Sequence, residues 1–130
     1  GRYLPDTRAE QAILDALREF RPEIVLTFDG NYPPRIQHRD HRNIGLAVEA
    51  EAREMGAQWL LRFSTHAPNL FVDTSELWDA RSELLAIHRS QFYGEKLARF
   101  REIVYGSAED AGRRAGFDLA EAYRATKLRP

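Results

Sequence analysis

Ile24-Val25-Leu26-Thr27-Phe28-Asp29-Gly30, followed beyond a Pro33-Pro34 loop by His38-Arg39-Asp40-His41, is the stretch on which the fold turns. Residues 24–28 form a short continuous apolar run, the pattern of a strand covered on both faces, as in a parallel sheet. Gly30, Pro33 and Pro34 make the next stretch a loop. Past it, Ile44, Ala47, Val48, Ala52 and Met55 recur at helical spacing, with Asp40 as the N-cap and Gly56 as the C-terminal stop. A strand giving way to a helix is where a mostly parallel α/β sheet puts its chemistry, in the crevice beyond the carboxyl ends of its strands. Two imidazoles and a carboxylate converge at that point.

Working outward, Thr7-Arg8-Ala9-Glu10 reads as a capping box. The helix it opens, near residues 7–20, presents Ile13, Ala16, Leu17 and Phe20 on one face, and Pro22 stops it. Downstream, strands are predicted near 58–63 (Trp59-Leu60-Leu61-Arg62-Phe63) and 70–73 (Leu70-Phe71-Val72-Asp73). Thr74 or Ser75 caps a helix near 75–92 with Leu77, Leu84, Leu85 and His88 in its stripe. Gly94 breaks it, and a further helix with Leu97, Phe100 and Val104 inward continues to Ala115 before Gly116. Residues 119–126 fit a helix or an edge strand equally on periodicity. This order defines an α/β layered domain with a partly parallel sheet. No internal repeat or linker divides it, so residues 1–130 read as a single domain.

At 130 residues, with 43% hydrophobic and 30% charged side chains, the chain has an ordinary globular composition. Nineteen basic residues against 20 acidic ones give a net charge of −1, which leaves no electrostatic footprint for nucleic acid or an anionic membrane. No apolar stretch approaches the roughly 20 residues of a membrane-spanning helix. With no cysteine, disulfides, thiolate metal sites and cysteine nucleophiles are excluded, and a reducing compartment, the cytoplasm, is expected.

His38, Asp40 and His41 are the first candidates for chemistry. One imidazole can hold a metal while the other protonates a leaving group, with Asp40 orienting the latter through its ring nitrogen. The same residues also read as a polar helix N-terminus in which Asp40 caps and both imidazoles are solvated. His66, just past a strand end, reads either as a loop histidine with no catalytic role or as a group that reaches the same crevice. His88, near a helix end, reads as a partner of the last carbonyls or as a substrate-side hydrogen-bonding group. Asp29 and Asp73 both follow strands; Asp29 serves the crevice or simply the turn with Gly30. No phosphate loop, nucleophile elbow or dinucleotide fingerprint occurs.

Taken in order, Arg21-Pro22-Glu23-Ile24-Val25-Leu26-Thr27-Phe28, His38-Arg39-Asp40-His41-Arg42, His88-Arg89-Ser90-Gln91-Phe92 and Ala120-Glu121-Ala122-Tyr123-Arg124 resemble the C-terminal half of the LmbE-like, or PIG-L, family of zinc-dependent N-deacetylases. The resemblance runs from about Ala9 to Arg124, and His-x-Asp-His is its specific part. It implies a Rossmann-like three-layer fold, of which this chain is the C-terminal portion, a mostly parallel sheet with flanking helices. It also implies zinc-dependent hydrolysis of an N-acetyl group on an N-acetylglucosamine-type sugar or conjugate. By resemblance, His41 is a Zn²⁺ ligand and His38 the group that stabilises the tetrahedral intermediate or protonates the leaving amine. Asp40 is the carboxylate that orients His38 and favours its imidazolium.

The family's Ala-His-Pro-Asp-Asp-Glu motif, source of its other ligands and its base, has no counterpart in the sequence. Arg39 replaces the usual proline, and Ile36 stands where some members carry a catalytic tyrosine; Tyr32 is too distant to substitute. The expected partners are therefore an N-terminal half that supplies the missing strands and ligands, and an amino-sugar substrate. Self-association through an uncovered strand edge is a further expectation. The chain alone is expected to be inactive and to bind zinc weakly. The competing reading is a non-catalytic sugar-binding or interaction module of the same fold.

Overall fold

The computed structural model describes residues 8–31 and 38–130. The elements run α1 (Arg8–Phe20), β1 (Ile24–Phe28), α2 (Arg39–Met55), β2 (Trp59–Phe63), β3 (Leu70–Asp73), a 3₁₀ turn (Ser75–Leu77), α3 (Trp78–Ile87), α4 (Gly94–Ala115) and β4 (Ala120–Lys127). They form a mixed α/β structure with one four-stranded sheet, ordered β1-β2-β4-β3. Thr7 of the expected capping box, and the Tyr32, Pro33, Pro34 and Ile36 positions of the loop, lie outside the described residues.

The chain divides into two compact units, one from Gly1–Leu70 and Tyr123–Pro130, the other Phe71–Ala122. In the first, β1 and β2 run parallel, from Ile24 opposite Trp59 to Phe28 opposite Phe63. β4 then joins β2 antiparallel, from Trp59 opposite Lys127 to Arg62 opposite Arg124. The expectation of a mostly parallel sheet is thus corrected to a mixed one. The helix-or-edge-strand ambiguity at 119–126 resolves as a strand with neighbours on both sides.

Leu14 of α1, Val25 of β1, Ala47, Val48 and Ala52 of α2, Ala57 and Leu60 form the core of this unit. The α2 stripe is the one its spacing predicts. The stripe of α1 is rotated from the prediction: Leu14 is buried and Leu17 packs against the core as predicted, while Ile13 and Phe20 are exposed. Glu10 and Leu14 face inward, and Arg18 beside them forks onto the buried Glu51 of α2 at 2.7 and 2.8 Å, tying this side of α1 to α2. β1 is buried on one face only. Val25 and Thr27 point inward, whereas Ile24 and Leu26 are 52% and 53% exposed, so the expected cover on both faces is also corrected.

Arg62 is buried beneath α2, where it pairs with Glu49 at 3.1 Å and donates to the Thr126 hydroxyl. Each buried charge there has a partner, as desolvation demands.

In the second unit, the helix predicted over 75–92 is shorter and divided. A 3₁₀ turn precedes α3, and α3 ends at His88, whose N–H bonds back to Leu85. Its predicted stripe is not buried: Leu77 is 56% and Leu84 60% exposed, so no packing extends the helix through the polar run His88-Arg89-Ser90. Trp78 meets Tyr105 of α4 edge-on at 4.8 Å. Ala108, Ala111 and Gly112 of α4 are buried, and Gly116 ends the helix at φ 81°, as its position predicts.

Candidate active site

α2 crosses the end of β1 at close range. A Cβ on Gly45 would lie 2.4 Å from the Phe28 carbonyl oxygen, so only glycine permits this approach. The crossing sets the first turn of α2 directly beyond the carboxyl end of β1. His38, not Asp40, is the N-cap, and its side chain makes no capping bond. Asp40 falls in the first turn, where a carboxylate complements the positive helix end.

The His41 imidazole stacks on the Phe28 ring with centroids 3.9 Å apart and planes 7° from parallel. Phe63 closes on Phe28 at 4.5 Å, and His38 meets His41 edge-on at 5.5 Å. The two imidazoles are therefore brought together at the strand end. Asp40 is not joined to them: it is exposed, and no hydrogen bond or ion pair links it to His38 among the described residues.

Asp29 enters neither as a free crevice group nor as a mere turn residue. Its side chain is 1% exposed. It accepts two bonds from Arg124 of β4, at 2.9 and 2.5 Å, one from the Thr65 hydroxyl at 2.6 Å and one from the Asn31 N–H at 3.1 Å. Burial pushes its carboxyl up, but these donors outweigh burial and hold it below the usual carboxylate range. The sequence signal for this pair was Arg124 itself, a guanidinium inside a strand. His66 is exposed on the loop after β2. His88 and Asp73 belong to the second unit, where Asp73 accepts from the Ser75 hydroxyl and N–H, which lower its pKa.

The described residues contain no group of three or more His, Asp or Glu able to hold a metal ion. Two imidazoles fall short of the three protein ligands of a catalytic zinc. The residues present therefore do not fit a zinc site by themselves. No helix of the described residues is long and apolar enough to cross a membrane.

Solved structures of other proteins share this fold. The N,N'-diacetylchitobiose deacetylase from Pyrococcus horikoshii, solved with its inhibitor, superposes with a TM-score of 0.83 over 98% of this chain and 55% of that one, at 22% identity. A conserved protein from Thermus thermophilus matches with a TM-score of 0.67 over 98% of this chain and 62% of its own, at 21% identity. The 4-carboxy-2-hydroxymuconate hydratase from Pseudomonas putida matches at 0.61, over 98% and 61%, at 20% identity. In sequence, the chain is 29% identical to the diacetylchitobiose deacetylase of Thermococcus kodakarensis over 139 aligned positions, which cover 93% of this chain. The chain spans about half the length of that curated relative, 52%. No protein-family model matches.

Proposed function

We propose that this chain carries the His38–His41 part of an N-deacetylase site acting on an N-acetylglucosamine-type sugar or conjugate. The observation that supports this most is the similarity to a diacetylchitobiose deacetylase along 93% of the chain. A fold likeness alone does not choose, since a hydratase shares the fold.

In this reading His38 is the general acid. It gives its ring proton to the amine nitrogen as the amide C–N bond breaks, and as an imidazolium it stabilises the oxyanion. Asp40 is the carboxylate that orients His38. His41 is one ligand of a Zn²⁺ ion whose other ligands come from an N-terminal half. We read the sheet as the C-terminal portion of a Rossmann-like three-layer fold, all of residues 1–130 belonging to that one domain. The edge position of β1 and its exposed Ile24 and Leu26 support a partner there; without one, the same edge favours self-association. The cytoplasmic setting expected from sequence is carried as part of the same proposal.

The test is acetate release from N,N'-diacetylchitobiose by the chain together with an N-terminal half. His38→Ala is expected to cost about two to four orders of magnitude in rate with metal content unchanged. His41→Ala is expected to lose metal, with partial rescue by excess zinc. The chain alone is expected to give no tight zinc binding in calorimetry and no turnover. Full activity in His38→Ala removes the assignment. Binding of the disaccharide without acetate release in any combination favours the non-catalytic module.

A further inference from the structure

A buried guanidinium normally spends its donors, because an enclosed N–H without an acceptor has given up water for nothing. Arg62 and Arg124 follow that rule, one on Glu49 and the other on Asp29. Arg101 encloses an unpartnered Nε, yet its Nη2 reaches the Ser82 carbonyl at 2.9 Å. Arg42 is different. Its Nε is enclosed without an acceptor, and no carboxylate or carbonyl meets its guanidinium among the described residues. The residue as a whole is only half-buried. Its enclosed root fixes the plane of the guanidinium, and the open side is the outer edge formed by Nη1 and Nη2.

The position of this fork is set by the helix. Arg42 lies in the first turn of α2, one position past His41, and its backbone N–H donates to the His38 carbonyl at 3.3 Å. Four residues separate it from His38, the spacing that puts two positions on one helix face. Three residues further on, Gly45 meets the Phe28 carbonyl, so this turn stands beyond the carboxyl end of β1. The nearby acids are committed elsewhere or turned to solvent. Asp29 is held by Arg124, Glu49 by Arg53 and Arg62, and Asp40 is exposed. An unspent guanidinium at the positive end of a helix is left to attract an anion.

We propose that Arg42 is a carboxylate-binding residue at the His38–His41 turn, its Nη1–Nη2 edge gripping both oxygens of one carboxylate. A planar fork with two parallel N–H groups matches that ligand better than a neutral one. That the carboxylate is the acetate released from an N-acetylated sugar rests on the proposed deacetylase reading. In that reading Arg42 holds the product carboxylate after the C–N bond has broken.

The experiment is titration of the ¹⁵N-labelled chain with sodium acetate at constant ionic strength, read at the Arg42 Nε–H signal and at backbone amides. The Nε–H signal is expected to move saturably, together with the amides of residues 39–42. Acetamide, the neutral isostere, and chloride should leave both in place. Arg42→Gln should weaken the Kd for acetate about tenfold, the worth of one charge-assisted hydrogen bond. Arg42→Lys, which keeps the charge without the fork, should recover only part of that loss. Both variants should keep the His41 ring proton shifts, because the stack on Phe28 does not involve Arg42. A parallel titration with N,N'-diacetylchitobiose separates this site from the deacetylase reading. Shifts at residues 38–42 with the disaccharide but none with acetate overturn the Arg42 site and leave that reading in place. Saturable acetate shifts without any response to the disaccharide support the carboxylate site and count against that reading. Equal shifts with acetamide, or an acetate Kd unchanged in Arg42→Gln, overturn the proposal.

Discussion

The two ends of the β1–β2 pair are built from similar materials and used differently. At the amino end, Arg21 and Arg129 both donate to the Met55 carbonyl, at 3.3 and 3.2 Å, where α2 terminates in the left-handed Gly56. Two guanidiniums there answer the negative end of a helix. At the carboxyl end, a guanidinium is again present, but it is spent on a buried carboxylate, and the helix end above it carries imidazoles held by ring contacts. Charge at the first end closes a helix. Charge at the second is sunk below the surface, leaving two imidazoles at the rim. The comparison separates scaffold from candidate chemistry without appeal to a relative.

The largest test of that contrast is Gly45→Ala. The added Cβ would sit 2.4 Å from the Phe28 carbonyl oxygen, so α2 must shift off the strand end. A loss of about 3 kcal/mol in denaturant unfolding is expected, at the upper end for overpacking. The stack of His41 on Phe28 should go with it, seen as a change in the His41 ring proton shifts. A stable Gly45→Ala protein with an intact stack would break the claim that close approach positions the imidazoles.

Asp29→Asn comes next, at roughly 3 kcal/mol, because it strands the Arg124 guanidinium. Its pH signature is specific. The native carboxyl lies below its ordinary value, so its stabilisation is full above the unfolded pKa near 3.9 and fades as pH falls through the lowered native value. Stability curves of wild type and variant should stand fully apart above about pH 4 and converge as pH falls below it. Curves that stay parallel would show that the carboxylate's charge contributes nothing.

Much of this organisation was legible in the residues, and the parts that were not share a cause. Local signals succeeded where one segment decides for itself: the apolar run of β1, the Ile44 to Met55 stripe, the glycine stops at 56 and 116. They failed where a distant partner decides. The side of α1 that meets α2 is tied there by Arg18 and Glu51, and the role of Asp29 depends on Arg124, 95 positions away. The placement of β4 between two strands is likewise a choice of the whole sheet. In the site, the pairing of His38 with His41 at the strand end followed from order alone. The N-cap did not, because an exposed first turn lets Asp40 sit at either position at small cost.

Phe28→Leu is a smaller test of the carboxyl end. It removes one aromatic partner of His41 and keeps most of the apolar volume, so about 1 kcal/mol of stability is expected to be lost. The diagnostic readout is the His41 ring proton shifts, which should lose their upfield displacement, while Phe28→Tyr should retain it. Unchanged shifts in Phe28→Leu would mean that the helix alone orients the imidazole.

The smallest effect is expected at the opposite end. Arg129→Ala removes one of two guanidiniums on the Met55 carbonyl, and Arg21 still reaches the same oxygen. A charge at an exposed helix C-terminus is worth about 0.3–1 kcal/mol, and the remaining donor keeps the loss near the lower figure. Because salt screens exposed charge, the difference from wild type should shrink further as ionic strength rises. Disaccharide-induced shifts at residues 38–42 should be unchanged. If Arg129→Ala abolishes those shifts, the two ends are not divided into scaffold and site, and the contrast between them fails.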